Sequence, residues 1–393
     1  IAGGITAARG FEAAGMHIGL KKVKPDLALF ASEVPATAAG MFTTNLVQAA
    51  PIKVTKEHLA YKGKIRAVVV NSANANACTG EQGMADAEAM TAQVAQKLGC
   101  SAEEVLVGST GVIGVNLPME KLERGIEAIV PKLNPQGGGS AAEAILTTDT
   151  FIKEYAMEFQ LGGKTVRMGG MTKGSGMIHP NMATMLAFIT TDAAIDRSLL
   201  ERALGEATAQ SFNMISVDRD TSTNDMVSIM ANGLAQNEKI EGVGPDYEHF
   251  RDALTKICIK LAMDVARDGE GATKLLEVVV LNAATERDAR LAARTVAGSS
   301  LVKAAVFGRD ANWGRVICAA GYSGAEFDPE RVDIFLGDEK VAENGGSLDF
   351  SEERALEILK KELGLDGGEL TTGDLLFTLE PVACIGACGM APA

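Results

Sequence analysis

The sequence predicts a mixed α/β protein in which helices cover β-sheets in layers. Short apolar runs alternate with longer segments of helical periodicity along the chain, which is the pattern of strands and helices packed together. The helices do not separate each strand from the next, and this favours a layered sandwich over one doubly wound parallel sheet. Because 393 residues are more than a domain with a single hydrophobic core usually contains, we expect two or three structural units.

The individual elements follow from these two periodicities. Strand-like runs occupy 65–70, 105–108, 165–171, 185–190, 226–230 and 275–282. Helical patterns occupy 81–98, 119–129, 196–211, 247–267, 285–296 and 351–362. Glycine and proline gather at 134–139 and glycine at 162–163, which predicts loops or a hairpin more than domain linkers.

Composition argues against several classes of function. The net charge is −14 without a run of five basic residues, which disfavours a nucleic-acid partner because that affinity rests on clustered Lys and Arg. No stretch approaches the roughly 20 apolar residues of a membrane helix, and the start lacks the order of a signal peptide. We therefore expect a cytoplasmic protein with no membrane partner, whose initiator region is missing. The six cysteines are mostly isolated, which predicts reduced thiols, and neither a metal site nor a cofactor is predicted.

The most unusual segment, 169–188, reads GGMTKGSGMIHPNMATMLAF, a glycine-rich turn that leads through small residues into an apolar strand. The order GxxxxGK followed by Ser or Thr is absent, which disfavours a phosphate-binding loop. In a second interpretation, the Thr184 hydroxyl attacks the unhindered carbonyl of Ala183 by an N-to-O acyl shift, and hydrolysis of the ester frees an amino group on Thr184. An α-amino group has a pKa of about 7.7–8.0 and can act as base for its own hydroxyl. In a third, Thr184 merely begins a buried strand.

A series of motifs in order along the chain favours the second interpretation, because together they resemble the ornithine acetyltransferase family, also called bifunctional glutamate N-acetyltransferases. Besides segment 169–188, the motifs are GGITA (3–7), VPATAAGMFTTN (34–45), NSANANACTG (71–80), GSTGVIG (108–114), TTDT (147–150), TSTND (221–225) and VFGRDANWGR (306–315). The resemblance implies an α-β-β-α sandwich of the self-cleaving ornithine acetyltransferase type.

By this resemblance, Thr184 is the self-cleaving and catalytic threonine, and Ala183 lies on the other side of the cut. The oxyanion hole falls on Thr110 and Gly111, whose hydroxyl and backbone N–H could both point at a developing alkoxide. Taken alone, the Ser109-Thr110-Gly111 sequence would be interpreted as a tight turn after a strand.

The resemblance also implies substrate contacts at Thr147, Lys173, Thr184 and Glu270. A lysine can pair with an α-carboxylate, a glutamate with an ammonium, and a threonine can hydrogen-bond an amide. Lys173 is expected in a loop eleven residues before Thr184, and Glu270 in a loop between a long helix and a strand. As isolated charges, both would be interpreted as solvated surface residues.

The implied reaction is a two-step transfer of an acetyl group from N2-acetyl-L-ornithine to L-glutamate through an acetyl-threonine ester, in arginine biosynthesis. Some members of the family also accept acetyl-CoA as donor, and the sequence leaves this open. We expect residues 1–183 as an alpha chain and 184–360 as a beta chain, assembled as a heterotetramer with two of each.

The family pattern stops near residue 360, and residues 361–393 form an atypical tail. This tail resembles the thioredoxin-like iron–sulfur subunit of NADH dehydrogenases, which binds a 2Fe–2S cluster with four cysteines. Only Cys384 and Cys388 of the four are present, so no cluster is expected and these thiols are free or form a disulfide. A smaller departure is Arg219, where the family usually carries glycine, which puts the backbone shape of that turn in question.

Two alternatives to the acetyltransferase stay open at this point. One is a self-cleaving aminopeptidase or amidase, in which water takes the acyl group. The other is a non-enzymatic protein, either an electron-transfer or binding module announced by the tail, or a folded but inactive chimera.

Overall fold

The computed structural model describes residues 1–61, 63–179, 185–361 and 379–380. The chain divides into two compact units, and one short segment interrupts the first. The first unit is Ile1–Asn213 with Asp220–Val265, and the second is Met214–Arg219 with Ala266–Ala393.

The first unit contains eight strands and six helices among its described residues. Its strands are β1 (Phe11–Met16), β2 (Leu27–Phe42), β3 (Lys64–Asn74), β4 (Val105–Val112), β5 (Lys153–Leu161), β6 (Lys164–Lys173), β7 (Leu186–Thr191) and β8 (Met226–Ala231). Its helices are α1 (Ala50–Tyr61), α2 (Gly80–Leu98), α3 (Met119–Ile129), α4 (Gly138–Ala144), α5 (Arg197–Ala209) and α6 (Pro245–Arg267), the last of which ends in the second unit.

The strands form one sheet that folds back on itself. Their order is β4-β3-β2-β8-β7-β6-β5, and β1 also pairs with β2. The first half of β2 pairs with β1 and β3, its register against β3 shifts between Ala31 and Ala36, and its second half pairs with β8. A register shift of this kind bends a strand. The two halves of the sheet consequently face each other, and Phe30 of β2 packs edge-to-face on Phe188 of β7 with ring centroids 5.3 Å apart.

Helices cover both outer faces of this folded sheet. On one side, Met90 of α2 and Ile126 of α3 share a core with Val69 of β3. On the other side, Phe250 of α6 packs against Phe159 of β5 with ring centroids 6.4 Å apart. The first unit is therefore an α-β-β-α sandwich, which confirms the predicted fold class.

Helix α1 covers the free edge of β4, the strand that carries the predicted oxyanion residues. The Thr55 hydroxyl accepts a hydrogen bond from the backbone N–H of Val107 at 3.0 Å and donates one to its carbonyl at 2.8 Å. The His58 Nδ1–H donates to the carbonyl of Val105 at 2.7 Å. Because an uncovered edge strand exposes such groups to foreign strands, these side chains both protect and fix β4.

The second unit is smaller and mostly helical in its described part. Its helices are α7 (Glu286–Gly298), α8 (Ser300–Phe307), α9 (Trp313–Gly321) and α10 (Glu352–Lys361), and its strands are β9 (Leu275–Leu276), β10 (Ile334–Leu336), β11 (Glu339–Glu343), β12 (Gly346–Ser347) and β13 (Leu379–Glu380). Strands β10, β11 and β12 form one small sheet, and β9 pairs with β13. One hydrophobic cluster joins Val296, Val302 and Leu359 of the helices, and another surrounds Val341.

Most predicted elements are present near their predicted bounds, and the helix predicted at 119–129 has those bounds. The predicted glycine hairpin joins β5 to β6 through Gly162 and Gly163, whose φ angles of +54° and +77° are strained for residues with a side chain. The strand predicted at 275–282 is wrong beyond Leu276, since residues 277–282 lie outside any strand. In the part of the chain that the structure describes, no helix combines the length and apolar character needed to cross a membrane.

Candidate active site

The predicted cut lies outside the described residues, since Ala183 and Thr184 fall in the stretch 180–184 between β6 and β7. Met185, the next residue, is buried, and its carbonyl accepts a hydrogen bond from the backbone N–H of Met226 at 3.0 Å. The Thr172 hydroxyl of β6 donates to the carbonyl of Leu186 at 3.0 Å. The beginning of β7 is thus fixed between β6 and β8.

Thr110 and Gly111 lie in an extended strand, and the interpretation as a tight turn is wrong. Both belong to β4, where they pair in parallel register with Ser72 and Ala73 of β3. Gly111 has a φ of +129°, and a Cβ built on it would lie 2.0 Å from the carbonyl oxygen of Ala73. Only glycine tolerates both the dihedral angle and this close approach of two backbones.

Asn224 connects the end of β4 with the beginning of β7. Its buried amide donates hydrogen bonds to the carbonyl of Ser109 at 2.9 Å and to that of Ala75 at 2.6 Å. Two residues later, Met226 binds the backbone of Met185, as described above. The residue before Thr110 and the residue after Thr184 are therefore tied to the same short segment at the start of β8.

Asp149 brings together two of the predicted substrate residues, Thr147 and Lys173. One carboxylate oxygen accepts a hydrogen bond from the backbone N–H of Thr147 at 2.9 Å and lies 3.9 Å from Lys173 Nζ. The other oxygen accepts from Lys153 Nζ and from the backbone N–H of Gly174, both at 2.7 Å. Lys173 is buried at the last position of β6, so the prediction that it lies in a loop is wrong; it pairs there with Leu186.

The neighbouring lysines and N–H groups keep Asp149 negatively charged. Burial alone would raise the pKa of its carboxyl, but the charges of Lys173 and Lys153 and the hydrogen bonds outweigh burial and lower the pKa to about 2. Asp149 is consequently a carboxylate at every physiological pH. An ion-paired, buried ammonium on Lys173 stands beside Thr147, which suits a substrate that carries a carboxylate.

Glu270 belongs to the second unit. It lies in a turn after α6 ends at Arg267 and before β9 begins at Leu275, which confirms the predicted loop. Gly271 follows with a φ of +68° and makes the turn. The first unit contains Thr110, Gly111, Thr147 and Lys173.

Sequence reasoning missed Asp149, Lys153 and Asn224 as parts of the site. Asp149 and Asn224 stand inside the TTDT and TSTND motifs, which carried the resemblance without an assigned role. The four-residue spacing of Asp149 and Lys153 is not a signal of a buried pair by itself, because these residues lie outside a helix.

Metal ligands are not grouped in the described part of the chain. No three or more His, Cys, Asp or Glu residues there could hold a metal ion together. Cys384 and Cys388 lie outside the described residues, whereas Cys78, Cys100, Cys258 and Cys318 are free thiols.

Comparison with known proteins identifies two families along the chain. The profile of the ArgJ family matches residues 12–371, and that of the thioredoxin-like 2Fe–2S ferredoxins matches residues 350–393. The second segment contains two cysteines, and a 2Fe–2S cluster normally takes four cysteine ligands, so this segment does not fit the cluster on its own.

Curated relatives match nearly the whole chain. The arginine biosynthesis bifunctional protein ArgJ of Symbiobacterium thermophilum is 56% identical over 377 residues, which cover 95% of this chain and 94% of the relative. The protein of the same name from Bacillus subtilis is 51% identical, covering 94% of this chain and 89% of the relative. A crystal structure of the Bacillus halodurans protein is 48% identical over 46% of this chain and 95% of that chain, with a TM-score of 0.45. The matches to the curated relatives confirm the expected enzyme of arginine biosynthesis, and the chain belongs to the ArgJ family.

Proposed function

We propose that this chain is an autoprocessed acyltransferase that moves the acetyl group of N2-acetyl-L-ornithine to L-glutamate through an ester on Thr184. Family membership supports the place in arginine biosynthesis, since the relatives carry that pathway in their name. The observation that carries the proposal is the attachment of both Ser109 and Met185 to the segment that begins β8. It brings the predicted oxyanion strand and the residue after the predicted nucleophile to one end of the sheet.

Processing requires no group beyond the chain and water. The Thr184 hydroxyl oxygen attacks the carbonyl carbon of Ala183, the peptide C–N bond breaks, and the acyl group passes to oxygen while the nitrogen gains a proton. Water then hydrolyses the ester and leaves a carboxylate on Ala183 and an amino terminus on Thr184. The first fragment keeps β1 to β6 and the second keeps β7 and β8, so pairing of β6 with β7 and of β2 with β8 would hold the fragments together.

Acyl transfer would use the freed amino terminus as base. The Thr184 hydroxyl attacks the acetyl carbonyl, the α-nitrogen of ornithine leaves with a proton, and the amino group of glutamate then attacks the acetyl ester. Thr110 and Gly111 would donate hydrogen bonds to the tetrahedral oxyanion, where one such donor contributes about 3 kcal/mol. We assign the substrate carboxylate to Lys173, the amide to Thr147 and the ornithine ammonium to Glu270.

Intact mass under denaturing conditions tests the processing. The purified chain should give two fragments, 1–183 and 184–393, and Thr184→Ala should give one uncut chain of 41.0 kDa. Thr184→Ser, which keeps a hydroxyl, is the matched control and should still be cut. A persistent uncut band in the parent, unchanged by Thr184→Ala, contradicts the proposal.

Product analysis separates the transferase from its alternatives. The proposal requires N-acetylglutamate to appear in step with ornithine, whereas an amidase would release acetate whether or not glutamate is present. A folded, uncut protein without either product would be an inactive chimera. Replacing N-acetylornithine by acetyl-CoA shows whether this second donor is used, and the native mass tests the assembly of two alpha and two beta chains.

A further inference from the structure

A lysine far away in sequence holds the peptide group that precedes Thr147. The ammonium of Lys21 donates hydrogen bonds to the carbonyl of Leu146 at 2.5 Å and to that of Pro25 at 2.9 Å. The backbone N–H of Lys21 donates to the carboxylate of Asp26 at 2.8 Å, which fixes the base of the side chain. Lys21 is half-buried and has no role in the acetyl transfer proposed above.

The same peptide group is held at its opposite side. The carbonyl of Leu146 meets Lys21, and the N–H of Thr147, on the other side of the same peptide bond, meets Asp149 at 2.9 Å. A peptide unit is planar, so hydrogen bonds at its carbonyl and at its N–H fix its orientation. They also fix the direction of the backbone at Thr147. A cation and an anion of the protein thus hold one peptide plane between them.

Charged side chains of both signs lie near this peptide group. The carboxylate of Asp149 already binds Lys153 and lies close to Lys173. The carboxylate of Asp26 accepts hydrogen bonds from three backbone N–H groups, those of Ile18, Leu20 and Lys21, and also lies 3.1 Å from His17 Nδ1. An ammonium has three donors, and the contacts of Lys21 within the described part of the chain are two carbonyls, so one donor is left for a ligand.

We propose that Lys21 holds the Leu146–Thr147 peptide and, together with Lys173, binds the carboxylate of the substrate, which makes this loop selective for a substrate with a carboxylate. The inference deepens the proposed function and rests on it. A second ammonium explains how the loop distinguishes an acetylated amino acid from an acetylated amine of the same length, because the latter brings no charge to offset the two lysines.

The charges around Lys21 give the selectivity a pH dependence. Burial lowers the pKa of Lys21 to about 8 against the opposing charge of Asp26; Lys173 and Lys24 lower it further, and Asp149 raises it. Lys21 is therefore charged below about pH 8 and neutral above it. Binding of a carboxylate should weaken as the pH rises from 7 to 9.

The apparent affinities of two ligands, measured as KM or as competitive inhibition constants in acetyl transfer to glutamate, test the inference. N2-acetylornithine carries the carboxylate, and N-acetyl-1,4-diaminobutane is the same molecule without it. We expect Lys21→Met to weaken binding of the first about tenfold, as for the loss of a charge-assisted hydrogen bond, and to leave the second unchanged. Lys21→Arg should keep most of the preference, and Lys22→Met, a change at the exposed neighbour, should keep all of it.

The pH profile excludes a purely structural role for Lys21. The preference of the parent for N2-acetylornithine should fall between pH 7 and 9, and that of Lys21→Met should stay flat. Equal losses for both ligands, or a pH dependence that survives Lys21→Met, overturn the inference and leave the proposed function standing. If the parent itself does not bind N2-acetylornithine, the proposed function fails and the inference fails with it.

Discussion

The ion pair between Lys153 and Asp149 in the first unit is fully enclosed, with both side chains 0% exposed, whereas Arg354 and Asp338 in the second unit form a pair with side chains 60% and 69% exposed. Enclosing a charge costs several kcal/mol of desolvation, and an exposed pair costs and contributes little. The enclosed pair is stable because Asp149 also binds two backbone N–H groups. The comparison indicates that the buried charge of Asp149 holds the backbone N–H groups of Thr147 and Gly174 in place, next to the proposed substrate residues, whereas the exposed pair holds no such group.

Asp149→Asn should have the largest effect on stability. The substitution keeps the shape but removes the negative charge that faces the buried ammonium of Lys153, which costs about 3–5 kcal/mol. Denaturant unfolding followed by circular dichroism should show this loss. Because Trp313, the one tryptophan of the chain, lies in the second unit, its fluorescence should change less than the dichroism of the sheet. An Asp149→Asn protein as stable as the parent would show that the pair is not needed for folding.

The acid dependence of the same variant sharpens the comparison. The folded-state pKa of Asp149 is lowered to about 2 from its ordinary value of 3.8. Its contribution to the free energy of unfolding is therefore fully present above about pH 4 and is lost as the pH falls through 2. The stability difference between the parent and Asp149→Asn should therefore narrow on acidification in this window. Unfolding curves at pH 6 and near pH 2 measure it, and a difference that does not change with pH would place the effect in packing instead of charge.

Asn224→Ala should lower the free energy of unfolding by about 2 kcal/mol, because it removes the amide that donates to the buried carbonyls of Ser109 and Ala75. Asn237→Ala is a matched control, since its buried amide likewise donates to two carbonyls, those of Ala194 and Glu238. We expect similar losses of stability. Turnover should fall about tenfold or more in Asn224→Ala alone, since that side chain positions the residue before Thr110. Equal turnover in both variants would remove Asn224 from the site.

The sequence predicts the regular elements better than it predicts the site. Helical periodicity located α2, α3, α5 and α6, because each has one apolar stripe against the sheet. Strand β2 was not predicted, since its 16 residues include Pro35 and a run of alanines without alternation, and it bends where its register shifts. Taken alone, the Ser109-Thr110-Gly111 sequence favours a turn because glycine is depleted in strands, although β4 continues through it.

The centre around Asp149 could not be found from local patterns, because Lys173 and Gly174 reach it from a distant part of the chain. Gly174 is 25 residues away, and Lys21 reaches Leu146 across 125 residues. A family resemblance assigned Thr147 and Lys173 to the site, whereas the structure gives the physical reason that both are held in place. Residue types at long sequence separation carry no periodicity from which such a contact could be predicted.

Arg219→Gly should raise the stability of the second unit by about 0.5 kcal/mol. Arg219 has a φ of +69°, so the turn keeps a glycine-like backbone although it carries an arginine. Releasing a non-glycine residue from this conformation gains about 1–2 kcal/mol, and the greater freedom of glycine in the unfolded chain offsets about half of that. Trp313 fluorescence during denaturant unfolding measures the gain. A loss would show that the surroundings of the arginine stem, which lies 3.8 Å from the position that a Cβ on Gly298 would take, matter more than the strain.

Asp338→Asn should have the smallest effect, less than about 0.5 kcal/mol, because the hydrogen bond from Arg354 Nη2 at 3.1 Å is exposed on both sides. Salt at 1 M should abolish the remaining difference in stability between the parent and Asp338→Asn, since screening at this concentration acts on exposed charges within a few ångströms. The same salt should leave the effect of Asp149→Asn nearly unchanged, because water and ions do not reach that pair. If both variants responded equally to salt, the distinction between enclosed and exposed pairs would be lost, and the orientation of Thr147 by buried charge would need another explanation.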